Sequence, residues 1–300
     1  MSKKSIGHAF KRKSLLVFPA IKKRYYSVAL ESEADSLEID LEDSIASSSK
    51  TLARDVLCEE FPKDYSGKKE LMVRINDFRS KFYEEDVELI KNLKPDTISF
   101  AKVERAEDIK QLESSLLDAG IKNIDIFVGI ESLSAFYNMD EILGSSKKIT
   151  AAILGVEDLV AELGIERGEI WKNPILNYML IEFSMKCRMY GIQSIGPITR
   201  GYSTPSHFKE LAEECAYLKK MGFVGKVAIH PSQIEIINRE FEITSEQILD
   251  AQNIIDEFKK KELKDGTAVI ISSEGMEDSP SLKKAKDILK YAEDHGFPKN

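Results

Sequence analysis

Charged residues recur in this chain directly after short apolar runs, and their types suit metal and oxyanion chemistry. Asp40-Leu41-Glu42-Asp43 closes one run, Arg74-Ile75-Asn76 another, and Lys102, Glu131, Glu157-Asp158 and His230 close four more. Glu131 and Asp158 follow successive runs and offer hard oxygens with no His or Cys beside them. That donor set suits Mg²⁺ (or Mn²⁺) held by two carboxylates, its other positions left to water and substrate, and argues against zinc. Arg74 is a permanently charged fork fitted to a carboxylate or a developing oxyanion. It also suits a structural ion pair with the Asp40 to Asp43 cluster, and the two roles are compatible. Asp43 and Asp158, taken singly, also read as helix caps. His230, followed by Pro231, reads as structural before catalytic. Lys22-Lys23-Arg24 stands where a helix should begin, a place that can grip phosphates or simply face solvent.

Positioning these groups falls to the apolar runs at 15–18, 37–40, 71–75, 98–100, 124–128, 151–154, 195–198 and 227–229. Each is brief and bounded by polar or turn residues, as a strand buried on both faces must be. Between them lie charged segments with apolar residues at helical spacing, such as Val87, Leu89, Ile90 and Leu93, and a longer helical stretch covers 174–190. Strand then helix, eight times over, predicts an α/β fold, a closed (β/α)₈ TIM barrel, whose C-terminal strand ends form the functional rim. The rhythm stops after Phe241, which divides the chain into a barrel at 1–242 and a C-terminal segment at 243–300. That segment reads as helix (245–261), extended chain (267–273) and helix (281–293), and it must pack outside the barrel or on a neighbouring subunit. No dinucleotide or Walker phosphate loop follows any strand.

Composition narrows the partners. The net charge is −8 and the pI near 5.3, with Lys and Arg dispersed, so no basic stripe exists for nucleic acid. Cys58, Cys187 and Cys215 are too few and too widely spaced for a disulfide framework or a thiolate zinc site. The apolar run behind the basic start is shorter than a signal-peptide core, and no stretch reaches the length of a membrane span. These features predict a soluble, cytoplasmic protein.

Taken in order, the motifs resemble the citrate lyase β-subunit, malyl-CoA lyase and HpcH/HpaI aldolase superfamily. The matching pieces are Lys13 to Pro19, Asp40-Leu41-Glu42-Asp43-Ser44-Ile45 with Lys50 and Ala53-Arg54, Val73-Arg74-Ile75-Asn76, Lys102-Val103-Glu104 and Gly129-Ile130-Glu131-Ser132. They continue with Gly155-Val156-Glu157-Asp158-Leu159, Gly222 to Lys226, Ile229-His230-Pro231-Ser232-Gln233 and Met276-Glu277-Asp278-Ser279-Pro280. The resemblance implies a metal on Glu131 and Asp158 and a substrate-orienting Arg74. It further implies a coenzyme A thioester gripped near the first two strands, with Lys13, Lys22, Lys23, Lys50 and Arg54 as candidates. It also implies a trimer or hexamer in which Asp278 of one chain caps the site of another. Ala20, Ala101 and the stretch 196–201 depart from the family's pattern.

The expected activity is Mg²⁺-dependent cleavage of a 3-hydroxyacyl-CoA into a 2-oxo acid and an acyl-CoA, with Arg74, Asp278 and Asp43 as catalytic candidates. The alternatives are a coenzyme A-independent 2-oxo acid aldolase and a non-catalytic barrel subunit. Among these, only the lyase requires the thioester grip.

Overall fold

A computed structural model describes residues 12–62, 69–265, 270–272 and 275–294. Strands β1 (Ser14–Pro19), β2 (Ser36–Asp40), β3 (Glu70–Ile75), β4 (Thr97–Phe100), β5 (Asp125–Ile130), β6 (Ile149–Leu154), β7 (Gln193–Gly196) and β8 (Gly225–Ala228) pair in sequence order, all parallel. The barrel closes where β1 returns to β8, Leu15 lying opposite Val227. The connections carry α1 (Lys23–Glu31), α2 (Lys50–Glu60), α3 (Tyr83–Leu93), α4 (Ala106–Asp118), α5 (Leu133–Tyr137), α6 (Met139–Gly144), α7 (Val156–Leu163), α8 (Pro174–Tyr190) and α9 (Pro205–Lys220), and α10 (Ile234–Phe241) follows β8. Each expected strand is present, shifted by a residue or two. The fold is the (β/α)₈ barrel that the strand and helix rhythm predicts.

Alternation along the strands divides two cores. Leu37, Ile39, Leu71, Val73, Ile98, Phe100, Ile126 and Val128 face the surrounding helices and belong to the large outer core. Their neighbours face inward, where Leu15, Met72, Phe127, Ala151, Ile195 and Val227 form a small apolar layer across the barrel's middle. Beneath it lies a polar plug. Arg12 reaches in from the N-terminal side and forks onto Glu70 (Nε to Oε2 2.7 Å, Nη2 to Oε1 2.5 Å), and its guanidinium also donates to Thr150 Oγ1 and Gln193 Oε1, both at 3.1 Å. Ser36 and Thr97 donate their hydroxyls to the same Glu70 carboxylate. One ion pair thereby ties β2, β3, β4, β6 and β7 to the chain entering β1.

Clustering of contacts divides the chain into two compact units, Met1–Phe241 and Glu242–Asn300. The second holds α11 (Ser245–Asp265), an antiparallel pair formed by β9 (Ile270–Ser272) and β10 (Gly275–Glu277), and α12 (Ser279–Asp294). Ala251, Ile255 and Ala285 are its core, between α11 and α12. The expected extended stretch is β9; its flanks at 267–269 and 273 lie outside the described residues. Among the described residues no helix is long and apolar enough to cross a membrane.

Arg12 and Glu70 side chains are fully buried, so removing Glu70 takes away the carboxylate onto which the buried guanidinium forks. Glu70→Ala is expected to lower unfolding stability by about 3–5 kcal/mol, read from denaturant midpoints. A loss below ~1 kcal/mol, the scale of an exposed pair, would deny the plug its structural role.

Candidate functional site

A cavity of about 360 Å³ opens at the C-terminal ends of the strands, lined on one side by Glu38, Asp40, Arg74, Ser99 and Glu131 and on the other by Val17, Ile153, Ile198, Val227 and Ile229. Asp40 organises the charged side. Its carboxylate takes both Arg74 donors, Nε at 2.7 Å and Nη2 at 2.8 Å, and accepts the backbone N–H groups of Glu42 (2.7 Å) and Ser44 (2.9 Å). The loop after β2 is thereby folded around the arginine. The ion pair that the sequence offered between Arg74 and the acidic cluster is formed, and Arg74 also lines the cavity.

Lys102 closes the rim from β4. Its ammonium bridges Glu42 and Asp43, the latter at 2.7 Å, and its backbone has φ +56°, a conformation that costs a non-glycine residue energy and is found mostly where the surroundings impose it. Asp43 is therefore an ion-pair partner at the rim; no helix cap is formed there, since α2 begins only at Lys50. Asp158, at the start of α7, is exposed, whereas neighbouring Glu157 is taken by Arg167 at 3.2 Å and by Arg200.

Glu131 is the residue on which a metal reading can be tested. Its Oε2 is buried with no hydrogen-bond partner among the described residues. Glycines make its room: a Cβ on Gly129 would stand 2.8 Å from Glu131 Oε1, and one on Gly155 would stand 2.6 Å from its Cγ. Burial pushes its carboxyl up to about 7, opposed by Arg74 and reinforced by Asp158. An orphaned carboxylate oxygen in a glycine cradle, with a second carboxylate near enough to repel it, fits a divalent cation held by hard oxygens. Among the described residues no cluster of three or more His, Cys, Asp or Glu could hold a metal by itself, so the fit is to a two-carboxylate site completed by water and substrate.

The other sequence candidates separate. Lys13 precedes β1, is buried at the opposite end of the barrel from the rim, and donates its backbone N–H to Asp35. Lys50 is buried with Nζ donating to the carbonyls of Leu41 (2.7 Å) and Glu42 (2.6 Å) and to Asn76 Oδ1 (2.8 Å). Arg54 is consumed by Asp86 (3.0 Å) and Glu85. Of the three, Lys13 lies at the end of the barrel away from the rim, Lys50 has its ammonium donors filled within the protein, and Arg54 is paired with two carboxylates. Lys22 and Lys23 stand exposed at the start of α1, Lys23 paired with Glu59 and Glu60. His230 is structural at its Nδ1, which accepts from Ser232 N–H at 3.2 Å, and its ring stacks on Tyr202 at 4.6 Å. Asp278 belongs to the second unit, where its Oδ1 accepts from Ser281 N–H at 3.4 Å at the start of α12. Glu38 and Ser99 in the cavity were not singled out from sequence, although the alternation of Glu38 with Asp40 on one strand puts both on one face.

Residues 13–231 match the HpcH/HpaI aldolase/citrate lyase family, and the chain belongs to it. It is 29% identical over 265 residues to the citrate lyase subunit beta of Leuconostoc mesenteroides subsp. cremoris, covering 86% of each chain. It is 27% identical to the L-malyl-CoA/beta-methylmalyl-CoA lyase of Rhodobacter capsulatus, covering 92% of each. A crystal structure of CitE from Mycobacterium tuberculosis, solved with magnesium, acetoacetate and coenzyme A, superposes with a TM-score of 0.77 at 21% identity, over 95% of this chain and 100% of that one.

The raised Glu131 carboxyl has a measurable consequence. With no cation bound, the unfolded carboxyl ionises near 4.5 and the folded one near 7, so between those values the folded state holds the extra proton and stability falls as pH rises. Unfolding midpoints taken in chelator at about pH 5 and about pH 8 should show this decline, and Glu131→Gln should flatten it. An unchanged decline in that variant would mean that Glu131 does not titrate as its burial implies.

Proposed function

We propose that this chain is a carbon–carbon lyase that cleaves a 3-hydroxyacyl-CoA into a 2-oxo acid and an acyl-CoA with the help of Mg²⁺. The observation that carries the reading is the orphaned, glycine-cradled Glu131 carboxylate beside Arg74 in one cavity, in a chain of the HpcH/HpaI aldolase/citrate lyase family. Support also comes from relatives named as citrate lyase and malyl-CoA lyase that align over most of their length.

Glu131 and Asp158 would hold the cation, which supplies Lewis-acid polarisation of the substrate's oxygens when bound. Arg74, fixed by its fork onto Asp40, presents its remaining N–H groups to the oxygen on which charge develops. A carboxylate takes the proton of the carbinol O–H, the bond to the thioester α-carbon breaks, and that carbon keeps the electron pair as an enolate. A carboxyl then returns a proton to it. We assign that group to Asp278, half-buried in its own unit, where its Oδ1 accepts from Ser281 N–H. Lys22 and Lys23, at the start of α1, remain to meet the coenzyme's phosphates. The apolar wall of Val17, Ile153, Ile198 and Val227 excludes water from the reacting carbons.

Because Lys50 and Arg54 are engaged inside the protein, the coenzyme A-independent aldolase keeps a specific observation in its favour. Activity decides between them: in the lyase case acetyl-CoA and a 2-oxo acid condense in the presence of Mg²⁺. Arg74→Lys should keep the fold and lose at least ~100-fold in turnover, because an ammonium cannot fork onto Asp40 and still face the substrate. Near-normal turnover in folded Arg74→Lys would return Arg74 to a purely structural role.

If Asp278 serves a neighbour's barrel, each site is composite. Arg74→Ala and Asp278→Ala proteins, each inactive alone, would then regain roughly a quarter of wild-type activity after joint unfolding and reassembly, since about half the barrels and half the caps are intact. Confirmed mixed oligomers without recovery would place Asp278 on its own barrel or outside catalysis.

A further inference from the structure

The floor of the cavity holds a carboxyl group that the reaction above leaves unused. Glu38 lies inside the barrel, 4% exposed, and lines the cavity together with Ser99, 3% exposed, and Arg74. Ser99 Oγ donates to Glu38 Oε1 at 2.9 Å, reaching across β3 from β4 to β2. Arg74 Nε stands 3.7 Å away and is already committed to Asp40 at 2.7 Å. Glu38 is thus a buried acid that shares its cation with a closer carboxylate, in a place where Phe127 and Val227 show that apolar side chains also fit. Burial of such a group costs stability, and an apolar residue of similar size would cost less. The same burial, together with the neighbouring Asp40 and Glu42 and against the pull of Arg74, raises its carboxyl above the ordinary glutamate range. What remains is a role toward whatever enters the cavity.

We propose that Glu38 and Ser99 form a polar subsite at the cavity floor that reads the substituent on the 2-oxo acid's carbonyl carbon, selecting a neutral hydroxyl-bearing group over a methyl group or a second carboxylate. This rests on the lyase reading, which brings a 2-oxo acid to Arg74 and Glu131 at the top of the same cavity. A hydroxyl can both donate to and accept from the Glu38 and Ser99 pair. A methyl group leaves buried polar atoms without a partner, which is how sites built for a hydroxyl reject its apolar analogue. A carboxylate brings a like charge against Glu38 in a low-dielectric interior.

Calorimetry in the presence of Mg²⁺, run in the cold with hydroxypyruvate, pyruvate and oxaloacetate, tests the subsite in the wild-type protein, Glu38→Gln, Glu38→Met and Ser99→Ala. The wild type should bind hydroxypyruvate about tenfold more tightly than pyruvate, with oxaloacetate weakest. Glu38→Met should remove or reverse the preference for hydroxypyruvate over pyruvate. Glu38→Gln should keep that preference and admit oxaloacetate about tenfold better. Ser99→Ala, which deletes one hydroxyl, provides the same reading should Glu38→Met fail to fold. Equal affinities in the wild type, or variants that weaken all three acids alike, would overturn the proposal and leave Glu38 structural. Condensation assays with acetyl-CoA separate this from the function itself. Turnover without the order of preference removes the subsite and leaves the lyase, while the order in binding without turnover removes the lyase and leaves the subsite.

Discussion

Too much negative charge for the cations present is the constraint that shapes this barrel's rim. Glu38, Asp40, Glu42, Asp43, Glu131 and Asp158 crowd around Arg74 and Lys102, and they divide by what they touch. Asp40 is fully desolvated, yet the fork of Arg74 outweighs burial and holds it below the usual carboxylate range; Asp43 is held low in the same way, against its own partial burial, by Lys102 and by Glu42. Glu38, Glu42, Glu131 and Asp158 go the other way, lifted first by burial. Arg74 and Lys102 are enough to fix the architecture and not enough to neutralise the cavity. On the function proposed above, a divalent cation would balance two of these carboxylates without bringing side chains that would fill the space needed by substrate.

Stability and chemistry are kept at opposite ends. The Arg12 and Glu70 plug satisfies buried charge with charge and with the hydroxyls of Ser36, Thr97 and Thr150, so the N-terminal end is closed and fully paired. Above the apolar layer the pairing is left incomplete: Glu131 Oε2 has no partner among the described residues, and Lys102 adopts a left-handed backbone to reach Glu42 and Asp43. A barrel can tolerate unsatisfied groups at one end because the other end and the outer core supply the stability.

The fold, and the gathering of charged groups on one rim, were legible in the sequence for the same reason: strand periodicity fixes what lies inward, and strand ends fix what lies on the rim. Glu131 and Asp158 came from that rule, as did Arg74. For Lys13, Lys50 and Arg54, residue type and nearness in sequence say nothing about which end of a strand is meant or whether a donor is already engaged. Lys50 is the clear case: its ammonium is spent on two backbone carbonyls and Asn76, partners that no motif reveals. Glu38 was overlooked for the converse reason. An acid inside an apolar run looks like a surface residue on a half-exposed strand, and only closure of the barrel makes both faces of β2 interior.

That closure also explains why the cavity has two unlike walls. The inward positions of β2, β3 and β4 above the apolar layer are Glu38, Asp40, Arg74, Ser99 and Ala101, while β6, β8 and β1 offer Ile153, Val227, Ile229 and Val17. A substrate with a chelating 2-oxo acid half and an uncharged, carbon-rich reacting bond matches this division, its oxygens toward the charged wall and its carbons toward the apolar one. Because Asp40 holds Arg74 and also folds the loop carrying Glu42 and Asp43, the charged wall acts as a unit. A change in the Arg74 fork therefore reaches Lys102 through Glu42 and Asp43, without any contact between the two cations being needed.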